Sequence, residues 1–130
     1  MADVATAILT RLTAHAGTLA LVSTRAWHAR LPDDPDYPAV TVQKISETTT
    51  RLMGDDSEKE LFRVQVGSWA STRAGVVALD VQVKDALQRY SGTVAGVTVR
   101  QVFLETASEA YEDGIEQWRI DRDVMVWCDA

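Results

Sequence analysis

The chain has 130 residues, of which 46% are apolar and 25% charged, and its formal net charge is −6. This size predicts a single domain over residues 1–130, and the composition excludes general disorder. The acidic balance disfavours a sequence-independent nucleic-acid binder, because such proteins normally present a basic face to the phosphates. No apolar run is long enough for a bilayer and no basic leader is present, so we predict a protein that folds in a cytoplasm without membrane contact.

The N-terminal segment 3–16 has the apolar spacing of an amphipathic helix. The residues of its apolar stripe are Val4, Ile8 and Leu12. Asp3 is a suitable N-cap, and Gly17 is a suitable stop because glycine tolerates the backbone conformations that end helices. His15 falls in the last turn, where a partial positive charge suits the helix dipole. The pattern therefore predicts one helix that ends at Gly17.

Three strands are predicted next, over segments 24–31, 39–48 and 58–69, from their alternating apolar and polar residues. The proline- and acid-rich stretch 31–38 predicts a rigid loop, and its acids lack the ligand spacing of a metal site. The second and third strands form a long hairpin with a polar connector, 49–57. Because a connector of this length is usually functional, it supplies candidate contact residues. These are Arg51, Leu52 and Met53.

Segment 71–90 carries a heptad-like apolar stripe and predicts a second helix, whose stripe faces the core in preference to a coiled-coil partner because only two heptads are present. Segments 96–105 and 115–128 predict two closing strands, and a change in the alternation of the first one indicates a bulge or a strong twist. Their acidic connector, 106–114, ends in Asp113-Gly114, which is a turn signal.

Arg122 interrupts the apolar face of the last strand, so it lies at a sheet edge, at a subunit contact, or beside a carboxylate. The predicted element order is α-β-β-β-α-β-β. Runs of strands joined by hairpins indicate an α+β fold, with an antiparallel or mixed sheet of about five strands and two helices packed on one face.

Motifs for nucleotide binding, metalloprotease, thiol-redox or esterase chemistry are absent from the sequence. The acid pairs Asp33-Asp34, Asp55-Asp56 and Glu112-Asp113 fall in predicted loops, where they are mostly solvated, whereas acid/base catalysis needs burial to separate the pKa values of a pair. The lone Cys128 is interpreted as a small apolar residue of the last strand. We therefore predict no enzymatic activity, no cofactor and no metal. Four tryptophans are many for this length, and they are either interface residues or core or sheet-face residues.

A series of segments in chain order carries a family resemblance. These segments are residues 4–9 of the first helix, 25–27, Tyr37-Pro38 with 39–42 directly after it, the strand–helix unit 62–69 and 83–87, and the closing residues 118–120 and 124–126. Over about residues 4–127 the chain resembles the phage tail-completion proteins, also called tail-terminator or tail-to-head joining proteins. Ala39 departs from the pattern, since a bulkier residue is frequent there.

The resemblance implies a non-enzymatic virion protein. Copies would form a ring, usually hexameric, at the head-proximal end of the tail tube, contacting the tube protein and a head connector or stopper protein. DNA would pass through the lumen without specific binding. We expect the connectors 49–57 and 106–114 to supply contact or lumen residues. The expected acids are Asp55, Asp56, Glu112 and Asp113, with Arg122 as a further contact residue.

Two other functions stay open. One is a head-completion or connector adaptor, which would bind the portal side of the joint and not the tube end. The other is a small-molecule binding module or an enzyme, which requires a pocket with polar groups converging around His28, Arg122 or Asp121.

Overall fold

The computed structural model describes residues 3–33, 35–51 and 58–129. Within these residues lie three helices and six strands. The helices are α1 (Val4–Ala14), α2 (Ala16–Val22) and α3 (Arg73–Leu87). The strands are β1 (Ala26–His28), β2 (Ala39–Arg51), β3 (Glu58–Ala70), β4 (Gly92–Val94), β5 (Val97–Glu112) and β6 (Gln117–Asp129).

The strands form one mixed sheet in the order β1-β2-β3-β6-β5-β4. β1 runs parallel to β2, and all other neighbours are antiparallel. The α+β class and the mixed sheet are confirmed. The predicted numbers of strands and helices are too low, because the short elements α2 and β4 have no distinct periodicity of their own.

The helices pack on one face of the sheet, which we call the covered face. Alternate residues of the central strands point to it and are fully buried. They include Val40, Val42, Val64, Val66, Val124 and Val126, each 0% exposed. Ile8 and Leu12 of α1 and Leu79 and Val83 of α3 complete this core. The opposite side of the sheet, which none of the described helices covers, is called the bare face.

The N-terminal helix differs from its prediction at the C-terminal end. The Asp3 carboxylate accepts hydrogen bonds from the N–H groups of Ala5 and Thr6, at 3.4 and 3.3 Å, so the predicted cap is confirmed. However, the chain bends by 89° after Ala14, and Gly17 lies inside α2 instead of ending α1. A Cβ atom on Gly17 would overlap the side chain of Gln82 in α3. A side chain here would displace the flexible end of Gln82, so glycine lets α2 pack closely on α3 without that movement.

β1 is shorter than the predicted strand 24–31, because Ala29 adopts a positive φ of 63° directly after it. Arg25, just before β1, donates from Nε to the Pro38 carbonyl oxygen at 2.8 Å and from Nη2 to the Leu21 carbonyl oxygen at 3.0 Å. These bonds join the end of α2 to the loop that leads into β2.

The prediction of a connector over 106–114 is wrong up to Glu112, because β5 continues through these residues in register with β6. The 49–57 connector also begins later than predicted, since β2 extends to Arg51. The predicted bulge is confirmed by a register shift between Val99 and Gln101. The turn after Glu112 is confirmed as well.

No single helix of the described chain is long and apolar enough to cross a membrane. The bent pair of α1 and α2 passes such a test by length and composition only, and Val4, Ile8, Leu12 and Val22 of this pair lie in the core.

Candidate assembly surfaces

All four tryptophans are partly exposed, and none belongs to the core. Trp27, Trp69 and Trp127 lie on the bare face, as their strand registers and their alternation with buried neighbours show. Trp118 lies on the covered side but outside the main core, where it packs with Ala70, Val76 and Ile120. Of the predicted alternatives, a position in the core is wrong for the tryptophans, whereas a position on a face of the sheet is confirmed for Trp27, Trp69 and Trp127. Aromatic residues placed in this way are typical of protein interfaces.

Trp69 is held in place by hydrogen bonding and by a close approach of the backbone. Its indole Nε1–H donates to the Thr41 hydroxyl at 3.2 Å. A Cβ atom on Gly67 would lie 2.7 Å from that hydroxyl and 3.2 Å from the indole nitrogen, so only glycine leaves room for this contact. The Arg119 guanidinium carbon lies 5.3 Å from the centre of the Trp69 ring, on its face. The indole is therefore fixed on the bare face.

Arg119 also organises the acids beside Trp69. Its Nη1 lies 2.9 Å from the Glu112 carboxylate, and its Nε lies 3.0 Å from Asp121 Oδ2 without the alignment of a hydrogen bond. Burial raises the pKa of Asp121 above its ordinary value; Arg119 opposes this shift, and Asp123 and Glu112 add to it. Glu112, an expected lumen residue, is thus paired within its own subunit.

Other basic side chains of the bare face also lie beside acids. Arg63 contacts Asp123 at 3.3 Å, and Asp129 accepts from Lys59 at 2.6 Å and from Arg100 Nε at 2.9 Å. The hydrogen bonds from Arg100 and Lys59 lower the pKa of Asp129. These pairs leave the described bare face without a concentrated basic footprint for nucleic acid.

Arg122 points to the covered side and forms a bidentate ion pair with Asp80 of α3, with N–O distances of 2.9 and 2.8 Å. The two side chains are 14% and 11% exposed. β6 lies between β3 and β5, so the explanation of Arg122 as a sheet-edge residue is wrong, and the explanation by a carboxylate partner is confirmed. The residue fastens α3 to the sheet.

Two long strand edges are open along the sheet. β1 pairs with β2 only as far as Val42, and β4 pairs with β5 only as far as Val99. The Arg89 N–H covers one more carbonyl of β5, that of Val102, at 3.2 Å. Beyond these points, within the described part of the chain, the outer sides of residues 43–51 and 103–112 have no strand partner. We call these segments the β2 open edge and the β5 open edge.

The end of β2 and the start of β3 lie at one end of the sheet, where Lys59 pairs with Asp129, and the β5–β6 turn lies at the other, where Ala70 pairs with Trp118. The β5–β6 end is braced against α3 by Arg73, whose Nε lies 2.8 Å from Glu109. Tyr111 packs edge-to-face on Trp118, with ring centres 5.2 Å apart. Asp113 is exposed in the turn itself.

The expected contact residues of the other hairpin fall where β2 ends. Leu52, Met53, Asp55 and Asp56 lie outside the described residues, and for Arg51 the structure gives the strand position only.

A cleft of about 670 Å³ opens between the start of α1 and the sheet. Its lining includes Val4, Phe62 and Cys128, together with four carboxylates and one lysine. Burial, with the nearby carboxylates of Glu60 and Asp129, raises the pKa of the Cys128 thiol to about 11. The thiol therefore stays protonated at neutral pH and is a poor nucleophile, as expected for a structural cysteine.

The pocket that an enzyme or small-molecule binder requires does not form around His28, Arg122 and Asp121. His28 is exposed on β1, while Arg122 and Asp121 are neighbours in β6 and point to opposite faces of the sheet. Among residues 3–33, 35–51 and 58–129, no group of three His, Cys, Asp or Glu side chains could hold a metal ion.

A sheet with one bare face, partly exposed tryptophans and long open edges has the architecture of a subunit that assembles with other proteins. The sequence matches the family described as "Tail completion protein gp17" over residues 6–129, and the chain belongs to this family. It is thus a structural protein of phage tail assembly, a virion component and not an enzyme. No curated protein sequence matches the chain.

The fold is similar to that of a chain in the solved structure "Virion of native gene transfer agent (GTA) particle". The TM-score is 0.74 at 18% sequence identity, and the match covers 96% of this chain and 93% of that one. At this identity the likeness shows a common fold.

Proposed function

We propose that copies of this protein close into a hexameric ring that caps the head-proximal end of the tail tube. The ring ends tube growth and presents a surface to the head connector. The observation that carries this proposal is the pair of open edges on opposite sides of one sheet. A closed ring requires heterologous contacts, in which two different surfaces of the same subunit meet, and the two edges supply such surfaces.

The charge of the subunit suits a ring through which DNA passes. The net charge is −6, and Arg63, Arg100 and Arg119 are each neutralised by a nearby acid. A lumen built from such surfaces does not retain a polyanion. We assign contact or lumen roles to the acids of the two hairpin ends, which are Asp55, Asp56, Glu112 and Asp113.

The experiment combines mass measurement with imaging. Purified protein is examined by light scattering over a range of concentrations, and by negative-stain electron microscopy alone and after mixing with tail tubes. We expect rings of six subunits with a central hole, formed in solution or at one end of each tube, and tubes that no longer elongate.

Rings that bind only the portal side of the head connector, while tubes continue to elongate, would contradict the cap and establish a connector adaptor instead. A protein that stays monomeric and binds neither tubes nor connectors would contradict the ring altogether.

A further inference from the structure

We propose that neighbouring copies join edge to edge, with the β5 open edge of one copy paired to the β2 open edge of the next. The six-stranded sheets then continue into one another around the ring. This inference rests on the ring proposed above, and it assigns the occupant of both open edges as a second copy of the chain.

The two open edges present long rows of backbone groups that have no strand partner among the described residues. A strand edge presents a row of free N–H and C=O groups, and it pairs readily with another chain unless it is short or covered. β1 and β4 each protect only three residues of their neighbours, which leaves 43–51 and 103–112 open. Segment 43–51 lies toward the Lys59 end of the sheet and 103–112 toward the Trp118 end. Pairing between copies therefore satisfies both rows when neighbouring copies are staggered along the strands, as in a closed sheet whose strands are tilted to its axis.

The directions of β2 and β5 also suit pairing between copies. β2, β3, β6 and β5 are successive antiparallel neighbours, so β5 runs opposite to β2 within one subunit. Subunits of a ring share one orientation along its axis. The β5 edge of one copy therefore meets the β2 edge of the next in the antiparallel direction, which is the direction of every pairing in the sheet except that of β1 with β2.

The two open edges differ in their charged residues. The β5 open edge contains Glu105, Glu109 and Glu112 and no basic residue. The β2 open edge contains Lys44 and Arg51 and one acid, Glu47. Like charges directly opposite each other destabilise a strand pair and opposite charges stabilise it. Within the subunit, however, Glu109 pairs with Arg73, Glu112 with Arg119 and Lys44 with Glu47, so most of these charges are compensated before contact. The remaining acid, Glu105, gives β5 with β2 only a small electrostatic advantage over two β5 edges.

The continuous sheet fixes which side chains meet across the contact. On β2, Gln43 and Thr48 lie on the bare face, opposite Gln65 and Leu61. On β5, the alternation with β6 places Ser108 and Ala110 on the bare face and Ala107 on the covered side, opposite Arg122. In an extended sheet, residues of the same face approach each other and residues of opposite faces do not.

Disulfide cross-linking of the full chain tests this arrangement. Gln43→Cys or Thr48→Cys is combined with Ser108→Cys or Ala110→Cys, which places both thiols on the bare face. The matched control combines each β2 change with Ala107→Cys. The native Cys128 is 1% exposed, and its thiol is a silent background. Species assembled alone or on tail tubes are oxidised and separated on a denaturing gel.

We expect at least one same-face pair to lose its monomer band to a ladder that ends at the ring size. The Ala107→Cys controls and each single-cysteine variant should stay monomeric on the gel. Rings in the microscope without any same-face cross-link, or with equal cross-linking through Ala107→Cys, would overturn edge pairing and leave the ring intact. Dimers from Thr48→Cys alone would show a two-fold contact and overturn the proposal. Absence of any assembled species would overturn the ring and edge pairing together.

Discussion

The two faces of the sheet are built from the same strands but have different contents. On the covered face, alternate valines of β2, β3 and β6 are 0% exposed and pack against three helices. On the bare face, the same strands carry Trp69, Trp127, Met125 and ion-paired charges that stay partly exposed. A period of two along each strand thus separates the residues that fold the subunit from those available to its neighbours.

The side chains of the two faces also contribute differently to the stability of the subunit. A fully buried aliphatic side chain contributes about 1.5–3 kcal/mol of stability. Partly exposed ion pairs such as Arg63–Asp123 contribute at most about 1 kcal/mol, because solvent screens them. Substitutions on the covered face should therefore unfold the protein, whereas those on the bare face and open edges should alter assembly at nearly constant stability. Four substitutions test this division, beginning with the largest expected effect.

Leu79→Ala removes a 0% exposed side chain between α3 and the sheet. We expect the free energy of unfolding to fall by about 3 kcal/mol from lost burial and the cavity that remains. Urea denaturation followed by tryptophan fluorescence measures it. Leu79→Met is the control, with an expected loss below about 1.5 kcal/mol because volume is conserved. Equal losses for the two variants would show that this site is loosely packed.

Asp80→Ala leaves the Arg122 guanidinium without its partner beneath α3. Breaking a buried pair costs about 3–5 kcal/mol, and we expect about 2 kcal/mol here because the side chains retain 11% and 14% exposure. The double variant Asp80→Leu with Arg122→Met serves as the control, and its stability should return toward the wild-type value. If Asp80→Ala alone unfolds at the wild-type urea concentration, the pair does not fasten α3.

Trp69→Phe tests the hydrogen bond on the bare face. Loss of the indole donor to Thr41 should lower the free energy of unfolding by about 1 kcal/mol. Thr41→Val in the same background isolates this bond, since the double variant should be hardly less stable than Trp69→Phe alone. If Thr41→Val lowers the free energy of unfolding as much in Trp69→Phe as in the wild type, the 3.2 Å contact is not energetically significant.

Asp121→Asn should have the smallest effect, visible mainly as a change with pH. Folding raises the pKa of Asp121, so the folded state holds the proton more tightly than the unfolded chain does. In the wild type, this carboxyl lowers stability as pH rises from its ordinary value of 3.8 through the raised folded value. The stability of the variant relative to wild type should therefore increase over that window and stay constant above it.

Urea titrations at a series of pH values measure this difference. Asp129, whose pKa is lowered, contributes equally to both proteins and cancels. A stability difference that is constant with pH, or that decreases as pH rises, would contradict the raised pKa.

The strong periodic signals of the sequence predict much of the covered face. The stripe of Val4, Ile8 and Leu12 gives α1, and the alternation of Phe62, Val64 and Val66 gives β3. The bend at His15 was not predictable, because it brings α2 against α3, which is far along the chain and contacts α2 through Thr18 and the Gln82 carbonyl. The acidic composition of 106–112 suggests a loop, but pairing with β6 overrides this local tendency.

Less of the candidate assembly surfaces could be predicted from the sequence. The number of tryptophans suggested an interface, but their shared face depends on strand order and register. The open edges depend on where β1 and β4 stop, and such short strands carry little periodic signal. The partner of Arg122, Asp80, lies on a helix and is distant in sequence, so only the fold identifies it.

Hydrogen exchange with mass spectrometry, comparing the free subunit with assembled rings, tests the central division of the molecule most directly. The account predicts that peptides covering 43–51 and 103–112 become protected on assembly, while the central strand residues 61–70 and 118–128 exchange equally slowly in both states. Edges that exchange equally fast before and after assembly would contradict the account, as would new protection confined to the central strands.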